Sequence, residues 1–382
     1  MVKRLIIFSF CLSFIFLSIF IFSKINTTEG DQDILQTSNI NIPEDSKPIT
    51  YYNEIAKINE DDSISVLLLG LDGRAGDNRP RCDGIHMLSF IEKENKIIIT
   101  SVPRGTYIYL PEVASQSAYI SNACHYKGID YAVLEIEKIT GIHPDYIVKV
   151  GFSQAAGIFR LLNITSSETL QFLRNRRTLL GDFQRSHNQA LFIKDMITKY
   201  FDMFMNYPKA VKYIAFTLLD TNIEYNQALD LLEKIHKSGL YKNPDNIVLT
   251  VKPVPNYILS DTHYDFNQVN ASGDQEYLIY QNYINQLIAN VIYNANYYYA
   301  SNSMAISQQI IATPFSQKLW EQVDDEQQRN EYHFQLLRLF VLSSSNPKGH
   351  IGIVKDFIEQ MEVYRDLQIL EKSLQLLDQI NN

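Results

Sequence analysis

The stretch that decides the fold runs from Ser63 to Arg104 and reads SISVLLLGLDGRAGDNRPRCDGIHMLSFIEKENKIIITSVPR. It contains three short apolar runs, at residues 63–72, 84–92 and 95–104. Gly, Pro, Asn and charged residues separate these runs, and this spacing is typical of buried β-strands joined by loops. The stretch therefore predicts the core of a β-sheet.

Downstream of Arg104, predicted strands and helices alternate. The segments are helix 130–139, strand 145–152, helix 153–162, helices 189–201, 210–219 and 226–237, and a closing strand 246–254. Such alternation predicts an α/β fold, with a central sheet sandwiched by helices. We expect this domain to occupy residues 56–255.

The N-terminus contains an uncharged apolar run, LIIFSFCLSFIFLSIFIFS, at residues 5–23. At about 1.5 Å of rise per residue, such a helix nearly spans a hydrocarbon core of roughly 30 Å. The run predicts an uncleaved anchor within residues 1–24, although a cleaved signal peptide is the alternative. Lys3 and Arg4 precede it, so the N-terminus should stay in the cytoplasm. We expect a single-pass protein of the cytoplasmic membrane, with a polar stalk at 25–55 and an extracytoplasmic remainder.

The composition excludes several other classes of protein. With 46% hydrophobic and 20% charged residues, the 382-residue chain is globular. Its formal charge of −9 argues against nucleic acid as a partner. The three cysteines form no C-x-x-C metal motif. Outside the cytoplasm Cys82 and Cys124 could pair, or they could simply be buried small residues.

The C-terminal region, residues 275–382, follows a polar stretch and is predicted to be helical throughout. One heptad-like seam occurs there, at Val363, Leu367, Leu370, Leu374 and Leu377. It predicts either a short coiled coil, for self-association or a protein partner, or a helix that packs on its own domain. The short length of the seam favours packing within the domain.

The arginines are concentrated in one part of this acidic chain. Of thirteen, nine lie between positions 74 and 185. Arginine binds phosphate well because it is always charged and donates two parallel hydrogen bonds, although solvated arginines paired with acids are the alternative. Asp72 and Arg104 end predicted strands, and Arg81 and Asp83 lie just before one. Two carboxylates among arginines at strand ends suggest Mg²⁺ shared with a pyrophosphate.

Three segments carry a resemblance to a known family. GLDGRAGDNRPRCDG (70–84), SVPRGTYI (101–108) and FLRNRRTLLGDFQRSHNQALFI (172–193) are similar to motifs of the LytR-CpsA-Psr family. The resemblance covers about residues 60–255. It implies a mixed sheet and a membrane-anchored extracytoplasmic phosphotransferase. Such enzymes move glycopolymers from a polyprenyl pyrophosphate carrier to peptidoglycan or another envelope acceptor.

The resemblance also implies roles for particular residues. Asp72 and Asp83 would hold Mg²⁺, and any of Asp72, Asp83 and Asp182 could accept the hydroxyl proton. The expected catalytic residues are Asp72, Asp83, Arg81, Arg104 and Asp182. The expected pyrophosphate-binding residues are Arg74, Arg81, Arg104, Arg174, Arg176, Arg185 and Gln189, the last arginines being ordered by Asp182 and Gln189.

The chain departs from the family pattern at several positions. Gly105 replaces Asp, Gly84 replaces Thr, Asn188 replaces Arg, and Tyr119 or Ile120 replaces Lys. The segment between Leu162 and Arg174 is also shorter than usual. The departures leave an alternative open, a catalytically weakened polyprenyl-pyrophosphate-binding protein that assembles envelope partners through its helical tail.

A separate signal, VGFSQAAG at 150–157, resembles the strand, turn and helix of a serine hydrolase nucleophile elbow. Ser153 is more simply the N-cap of the following helix, because no oxyanion motif accompanies it.

Overall fold

The computed structural model of the chain describes residues 63–72, 79–161, 181–263 and 275–381. The expected anchor and stalk lie outside these ranges, as do Arg74, Arg174 and Arg176. Within them, no helix has both the length and the apolar character needed to cross a bilayer. The membrane topology therefore remains a prediction.

A six-stranded sheet organises the first part of the described chain. Its order is β5-β4-β1-β2-β3-β6. The strands are β1 (Ser63–Asp72), β2 (Arg81–Ile91), β3 (Lys96–Ser101), β4 (Tyr146–Gly151), β5 (Asp220–Thr221) and β6 (Ile247–Val251). β1, β2 and β3 are antiparallel, whereas β4 runs parallel to β1 and β6 parallel to β3. The mixed sheet with flanking helices confirms the predicted fold class.

Helices cover both faces of the sheet, which explains why its central strands read as continuous apolar runs. Val66 and Leu68 face one core, and Leu67 and Leu69 face the other. The helices of this part are α1 (Ile120–Tyr126), α2 (Ile129–Thr140), α3 (Phe152–Leu161), α4 (Asp182–Met205), α5 (Lys209–Thr217) and α6 (Tyr225–Ser238). Helices α3 to α6 pack in the first core, and α1 and α2 in the second.

A β-bulge interrupts the β1–β2 ladder near its polar end. Gly70 pairs with Gly84 and Leu71 with Cys82, so Asp83 is an extra residue without a partner on β1. The expectation that Arg81 and Asp83 precede the second strand was therefore wrong, because β2 already begins at Arg81. The third strand was also predicted too long, since β3 ends at Ser101. Arg104 lies in the loop beyond it.

Helix α4 begins at Asp182, seven residues earlier than the predicted start at 189. Its first turns bury polar side chains, and these conceal the apolar periodicity that marks a helix in sequence. The buried polar residues are Gln184, Arg185, Ser186, Asn188 and Gln189. The predicted site residues Asp182, Arg185 and Gln189 therefore lie on the helix itself.

The C-terminal region is helical, as predicted. It comprises α7 (Gln275–Ala300), α8 (Met304–Ser316), α9 (Glu326–Leu342), α10 (Ile351–Tyr364) and α11 (Leu367–Asn381). The predicted heptad seam was wrong. Helix α10 ends before Leu367, so the seam does not lie on one helix, and Leu367 is 74% exposed. Helix α11 instead buries Ile369, Ser373, Leu376 and Ile380. This face packs on α9 and α10, as the alternative of packing within the domain predicts.

The helical region contacts the sheet-bearing part through a 3₁₀ segment at Leu319–Gln322 that lies against α3. Gln322 Nε2 donates to Ser153 Oγ over 2.7 Å, and Arg160 contacts Glu321. A side chain at Gly157 would collide with the Glu321 carboxylate. The N-cap role predicted for Ser153 was wrong, since α3 begins at Phe152. Ser153 binds the helical region, and no described contact makes it a nucleophile.

Cys82 and Cys124 form a disulfide, which settles the alternative that the sequence left open. The bond joins the start of β2 to α1 within the second core. It therefore fixes the strand segment on which Arg81 and Asp83 lie.

Candidate active site

The candidate site is assembled at one end of the sheet from four elements. Asp72 ends β1, and Asp83 occupies the bulge of β2. Arg104 follows β3, while Asp182 and Arg185 lie on the first two turns of α4. Hydrogen bonding between the strands and packing of α4 on the sheet bring these separate segments together.

Four of these side chains form a continuous series of ion pairs, which we call the ion-pair array. Arg104 Nη1 lies 2.9 Å from Asp83 Oδ2, and Arg104 Nε lies 3.2 Å from Asp182 Oδ1. The same Asp182 oxygen lies 2.9 Å from Arg185 Nη2. The array brings residues from three distant motifs together in space.

Both ends of the array are buried, and its middle is accessible. Asp83 and Arg185 are buried, whereas the side chains of Arg104 and Asp182 are 33% and 35% exposed. Burial lowers the pKa of Arg104, but the charges of Asp83 and Asp182 outweigh this effect and raise it above its ordinary value. Arg104 thus stays cationic, and with five N–H donors a guanidinium can hold two carboxylates and still bind an anion.

Gly105 explains one departure from the family pattern. A Cβ at this position would lie 2.4 Å from Oδ2 of Asp182. The space that a side chain at 105 would need is therefore filled by the carboxylate of Asp182, which is hydrogen bonded to Arg104. An acidic partner for Arg104 is supplied from α4 instead of from the residue that follows it.

A polar pair lies deeper in the sheet, next to the array. His86 and Ser101 are partners in the β2–β3 register, and His86 Nδ1 lies 2.7 Å from Ser101 Oγ. Burial lowers the pKa of His86 to about 3, although a hydrogen bond with Gln189 opposes this shift. His86 is therefore neutral near pH 7. The sequence does not predict this pair, because a lone histidine in an apolar strand carries no recognisable signal.

Segment 257–263 holds the N-terminal turns of α4 from outside. The amide of Gln184 makes two hydrogen bonds with the backbone of Ser260, at 2.6 and 3.0 Å, and His187 lies 2.7 Å from Asp261. Gln184 Nε2 also donates to Asn188 Oδ1 over 2.7 Å. Asn188, the residue that replaces a family arginine, thus belongs to a buried amide network.

The carboxylates of Asp72 and Asp83 suit a magnesium ion that also binds water and substrate, rather than a metal ion bound by protein side chains alone. Asp72 and Asp83 are both buried carboxylates at the same end of the β1–β2 pair. Mg²⁺ is commonly bound by one or two carboxylates, with water and substrate phosphates completing its octahedron. Among the described residues, no group of three or more His, Cys, Asp or Glu could hold a metal ion. The residues therefore fit a metal that arrives with its substrate.

The remaining predicted site residues have different surroundings. Arg81 is exposed and lies opposite Asp72 in the β1–β2 register. Gln189 is fully buried and hydrogen bonds to His86, an environment that its predicted role did not suggest. Arg74, Arg174 and Arg176 lie outside the described residues. Their roles in binding pyrophosphate stay predictions.

Comparisons with known proteins converge on one family. Residues 21–158 match the model of the LytR_cpsA_psr family. The chain is 27% identical over 224 residues to the polyisoprenyl-teichoic acid–peptidoglycan teichoic acid transferase TagU of Bacillus cereus strain AH820, covering 50% of this chain and 70% of that protein. It is 31% identical over 106 residues to TagT of Bacillus subtilis strain 168, covering 27% of this chain and 32% of that protein.

Solved structures are also similar to about half of this chain. "TagT bound to LI-WTA" aligns with 55% of this chain and 87% of its own, at 21% identity and a TM-score of 0.40. This likeness is too distant to bear on function.

Proposed function

Because residues 21–158 match the LytR_cpsA_psr family model, we propose that this chain is a membrane-anchored extracytoplasmic phosphotransferase. It would move a glycopolymer from a polyprenyl pyrophosphate carrier to peptidoglycan or another envelope acceptor. The name of its relative TagU, a teichoic acid transferase that acts between a polyisoprenyl carrier and peptidoglycan, supports this class of reaction. The observation that carries the proposal is the ion-pair array, with two arginines and two carboxylates at one end of the sheet.

The array suits a phosphoryl transfer, in which phosphorus forms a bond to one oxygen and loses its bond to another. Arg104 and Arg185 would hold the pyrophosphate, and an acceptor hydroxyl would attack the sugar-side phosphorus in line. A bond from the acceptor oxygen to phosphorus forms, the bond to the bridging oxygen breaks, and polyprenyl phosphate leaves with its electron pair. Such transition states spread negative charge over the phosphoryl oxygens, so fixed guanidinium groups provide much of the catalysis.

Asp72 and Asp83 would hold the magnesium ion. When bound, the ion would neutralise charge on the phosphate oxygens. Asp83 would serve a second purpose, because its ion pair with Arg104 fixes the guanidinium at 2.9 Å. Burial of Asp83 keeps this contact from solvent and so keeps the arginine in one orientation.

We propose that Asp182 accepts the proton of the acceptor hydroxyl. Its side chain is the most exposed of the three candidate carboxylates, and it lies on the accessible middle of the array. A hydroxyl group of a large envelope polymer can reach this position more easily than Asp72 or Asp83, which are buried. The contacts of Asp182 with Arg104 and Arg185 orient its carboxylate.

The test uses the full chain in detergent with polyprenyl pyrophosphoryl N-acetylglucosamine as the donor and purified peptidoglycan as the acceptor. Asp83→Asn and Asp182→Asn should each lower the transfer rate at least about 100-fold, the order expected for loss of a transition-state contact. Glu331→Gln is the matched control. Its ion pair with Lys372 has nearly the same exposure, 33% and 35%, as the pair of Asp182 and Arg104.

The second candidate, a binding protein that recruits envelope partners, is favoured by Asn188. Asn188 stands where the family pattern has an arginine, so a positive charge is missing there. Its buried amide oxygen lies within 3 Å of Gln184 Nε2. The same assay separates the two functions. Wild-type chain that binds the lipid pyrophosphate, but transfers nothing with or without Mg²⁺, would support the binding protein and remove the transferase.

The localisation belongs to the same proposal. Residues 5–23 would anchor the chain in the cytoplasmic membrane, with Lys3 and Arg4 inside. A reporter fused after Asn382 should be active only outside the cytoplasm. Activity of a cytoplasmic reporter at the same position would contradict this orientation.

A further inference from the structure

An exposed group of tyrosines lies directly beyond Arg104. Tyr107, Tyr109 and Tyr119 are 64%, 76% and 39% exposed, and we call them the tyrosine cluster. The segment that follows Arg104 alternates, because Ile108 and Leu110 are buried in the second core while Tyr107 and Tyr109 face solvent. The buried side chains of Ile108 and Leu110 thus anchor the segment that carries the exposed rings.

Tyr107 and Tyr119 are side by side across an antiparallel bridge. The N–H of Ile108 donates to the carbonyl of Ala118 over 3.0 Å, and the N–H of Ile120 donates to that of Thr106 over 2.9 Å. This pattern makes Tyr107 and Tyr119 a non-hydrogen-bonded pair, whose Cα atoms lie about 4.5 Å apart in such ladders. Their side chains therefore share one face.

The bridge is continuous with the candidate active site. The N–H of Ser121 donates to the carbonyl of Arg104 over 3.1 Å, so the two segments remain together from Arg104 to Ile108. At about 3.3 Å per residue, Tyr107 lies no more than about 10 Å along the chain from Arg104. A ligand whose phosphate contacts Arg104 can extend its next chemical group onto these rings.

The surroundings of the cluster indicate a neutral ligand. Residues 105–124 contain a single charged residue, Glu112, which forms an ion pair with Lys127, although a fifth of the whole chain is charged. The family pattern has a lysine at position 119 or 120. Ile120 is buried, so Tyr119 is the exposed residue there. A tyrosine ring offers an apolar face and a polar edge at a small cost in conformational entropy, a combination that suits a group bearing both C–H and hydroxyl surfaces.

We propose that Tyr107, Tyr109 and Tyr119 form a sugar-binding subsite that receives the pyranose ring nearest the reacting phosphate. The proposal rests on the proposed function, because it takes the ligand's phosphate to lie on Arg104. The ring comes from the glycan of the lipid-linked donor or from the acceptor polymer. Both present the same chemistry to tyrosine, and the experiment separates them.

The test measures binding to the full chain in detergent with three probes. These are polyprenyl pyrophosphate without sugar, polyprenyl pyrophosphoryl N-acetylglucosamine, and soluble peptidoglycan glycan strands. The double variant Tyr107→Ala, Tyr119→Ala should bind one of the two sugar probes about tenfold more weakly, equivalent to about 1.4 kcal/mol. Its affinity for the sugar-free lipid should not change. Loss with the glycosylated lipid assigns the subsite to the donor, and loss with glycan strands assigns it to the acceptor.

Two variants serve as controls. Tyr107→Phe with Tyr119→Phe keeps both rings and should retain most of the affinity for the sugar. Tyr293→Ala removes a ring that is 72% exposed, close to the 76% of Tyr109, from α7 in the helical region and should have no effect. Should the double alanine variant unfold, Tyr109→Ala replaces it, because that side chain is the most exposed of the cluster.

Several outcomes would overturn the proposal. Unchanged affinity of the alanine variant for both sugar probes would do so, and so would an equal loss with the sugar-free lipid. Weaker binding to empty neutral phospholipid vesicles, with sugar binding intact, would assign the tyrosines to a membrane surface instead. If wild-type chain does not bind the sugar-free lipid, the proposed function fails. If it binds that lipid and neither sugar improves binding, only the subsite fails.

Discussion

At the scale of single residues, Gly105 and Asp182 show how one position depends on another. The Asp182 carboxylate occupies the space beside Gly105 and accepts a hydrogen bond from Arg104. Restoring a side chain at 105 would therefore displace the group that now partners the arginine. The departure from the family pattern is coupled to α4, and a comparison of single motifs does not reveal this.

Gly105→Ala should lower the free energy of unfolding by about 1 kcal/mol. The new Cβ, 2.4 Å from Asp182 Oδ2, must turn the carboxylate away from Arg104, and the partly exposed ion pair has only a modest strength. Urea denaturation measures the change. Gly352→Ala is the control, since nothing lies within 4 Å of its Cβ and alanine favours the helix. Equal stabilisation of both variants would show that Asp182 moves without cost.

His86 should make the protein less stable in mild acid. Its pKa is about 3 in the fold against 6.5 in the unfolded chain, so the unfolded chain gains the proton first as pH falls. The stability present above pH 6.5 is then lost progressively down to about pH 3, by about 2 kcal/mol at pH 5. His333 adds to this slope, because burial also lowers its pKa well below the ordinary value.

Urea denaturation at pH 7 and pH 5 isolates the contribution of His86. His86→Asn keeps a polar side chain beside Ser101 but does not titrate, so it should remove about 2 kcal/mol of the pH dependence while that of His333 remains. An identical slope in the variant would mean that folding does not lower the pKa of His86.

Among the helices and strands, the local sequence pattern predicted most of the sheet. It failed where contacts with distant residues determine the structure. Strands β1 and β4 followed from their β-branched apolar runs. The start of α4 did not, because Gln184 and Asn188 are buried by partners distant in sequence. The bulge at Asp83 also has no local signature. The seam on α11 failed because α10 and α11 are separate helices that share a core.

The contact of α3 with the 3₁₀ segment should be a strong one. Arg160 Nη1 lies 3.1 Å from Glu321 Oε2, and Nη2 donates to the Glu321 carbonyl over 2.6 Å. Arg160→Met would leave Glu321 buried without its cation, so we expect a loss of about 2 to 4 kcal/mol in the free energy of unfolding. Chemical denaturation measures it.

Lys138→Met provides the comparison for Arg160→Met. Its ion pair with Glu135 lies within α2, and the lysine is largely exposed, so its removal should change stability much less than Arg160→Met does. Equal effects of the two substitutions would show that the helical region is not held by Arg160.

At the scale of the whole molecule, the site could be predicted only in part. The motifs placed Asp83, Arg104, Asp182 and Arg185 together, and the structure brings those four into one array. Neither the deep pair of His86 and Ser101 nor the tyrosine cluster could be predicted in the same way. Both depend on the register between strands or segments, which is set by the hydrophobic pattern together with the geometry of the connecting turns and not by a motif of a few residues.

The disulfide should contribute to the stability of the whole sheet-bearing part. It closes a loop with a sequence separation of 42, and loop-closure entropy for that length corresponds to about 4 kcal/mol. Replacing both Cys82 and Cys124 by Ala should lower the free energy of unfolding by about this amount, measured in urea. Cys11→Ala leaves the pair intact and should have no such effect. An oxidised chain no more stable than the double variant would contradict the expectation.

The bulge on β2 has a consequence for how the protein can change over time. Asp83 faces no residue of β1, so the ladder would close equally well if a different side chain stood there. Its carboxylate contacts Arg104, which also has Asp182 as a partner. The side chain at position 83 can therefore change the reaction without changing how β1 pairs with β2. A lineage that no longer needed the reaction could lose Asp83 and keep an intact, correctly paired sheet, and such a protein would persist as a scaffold.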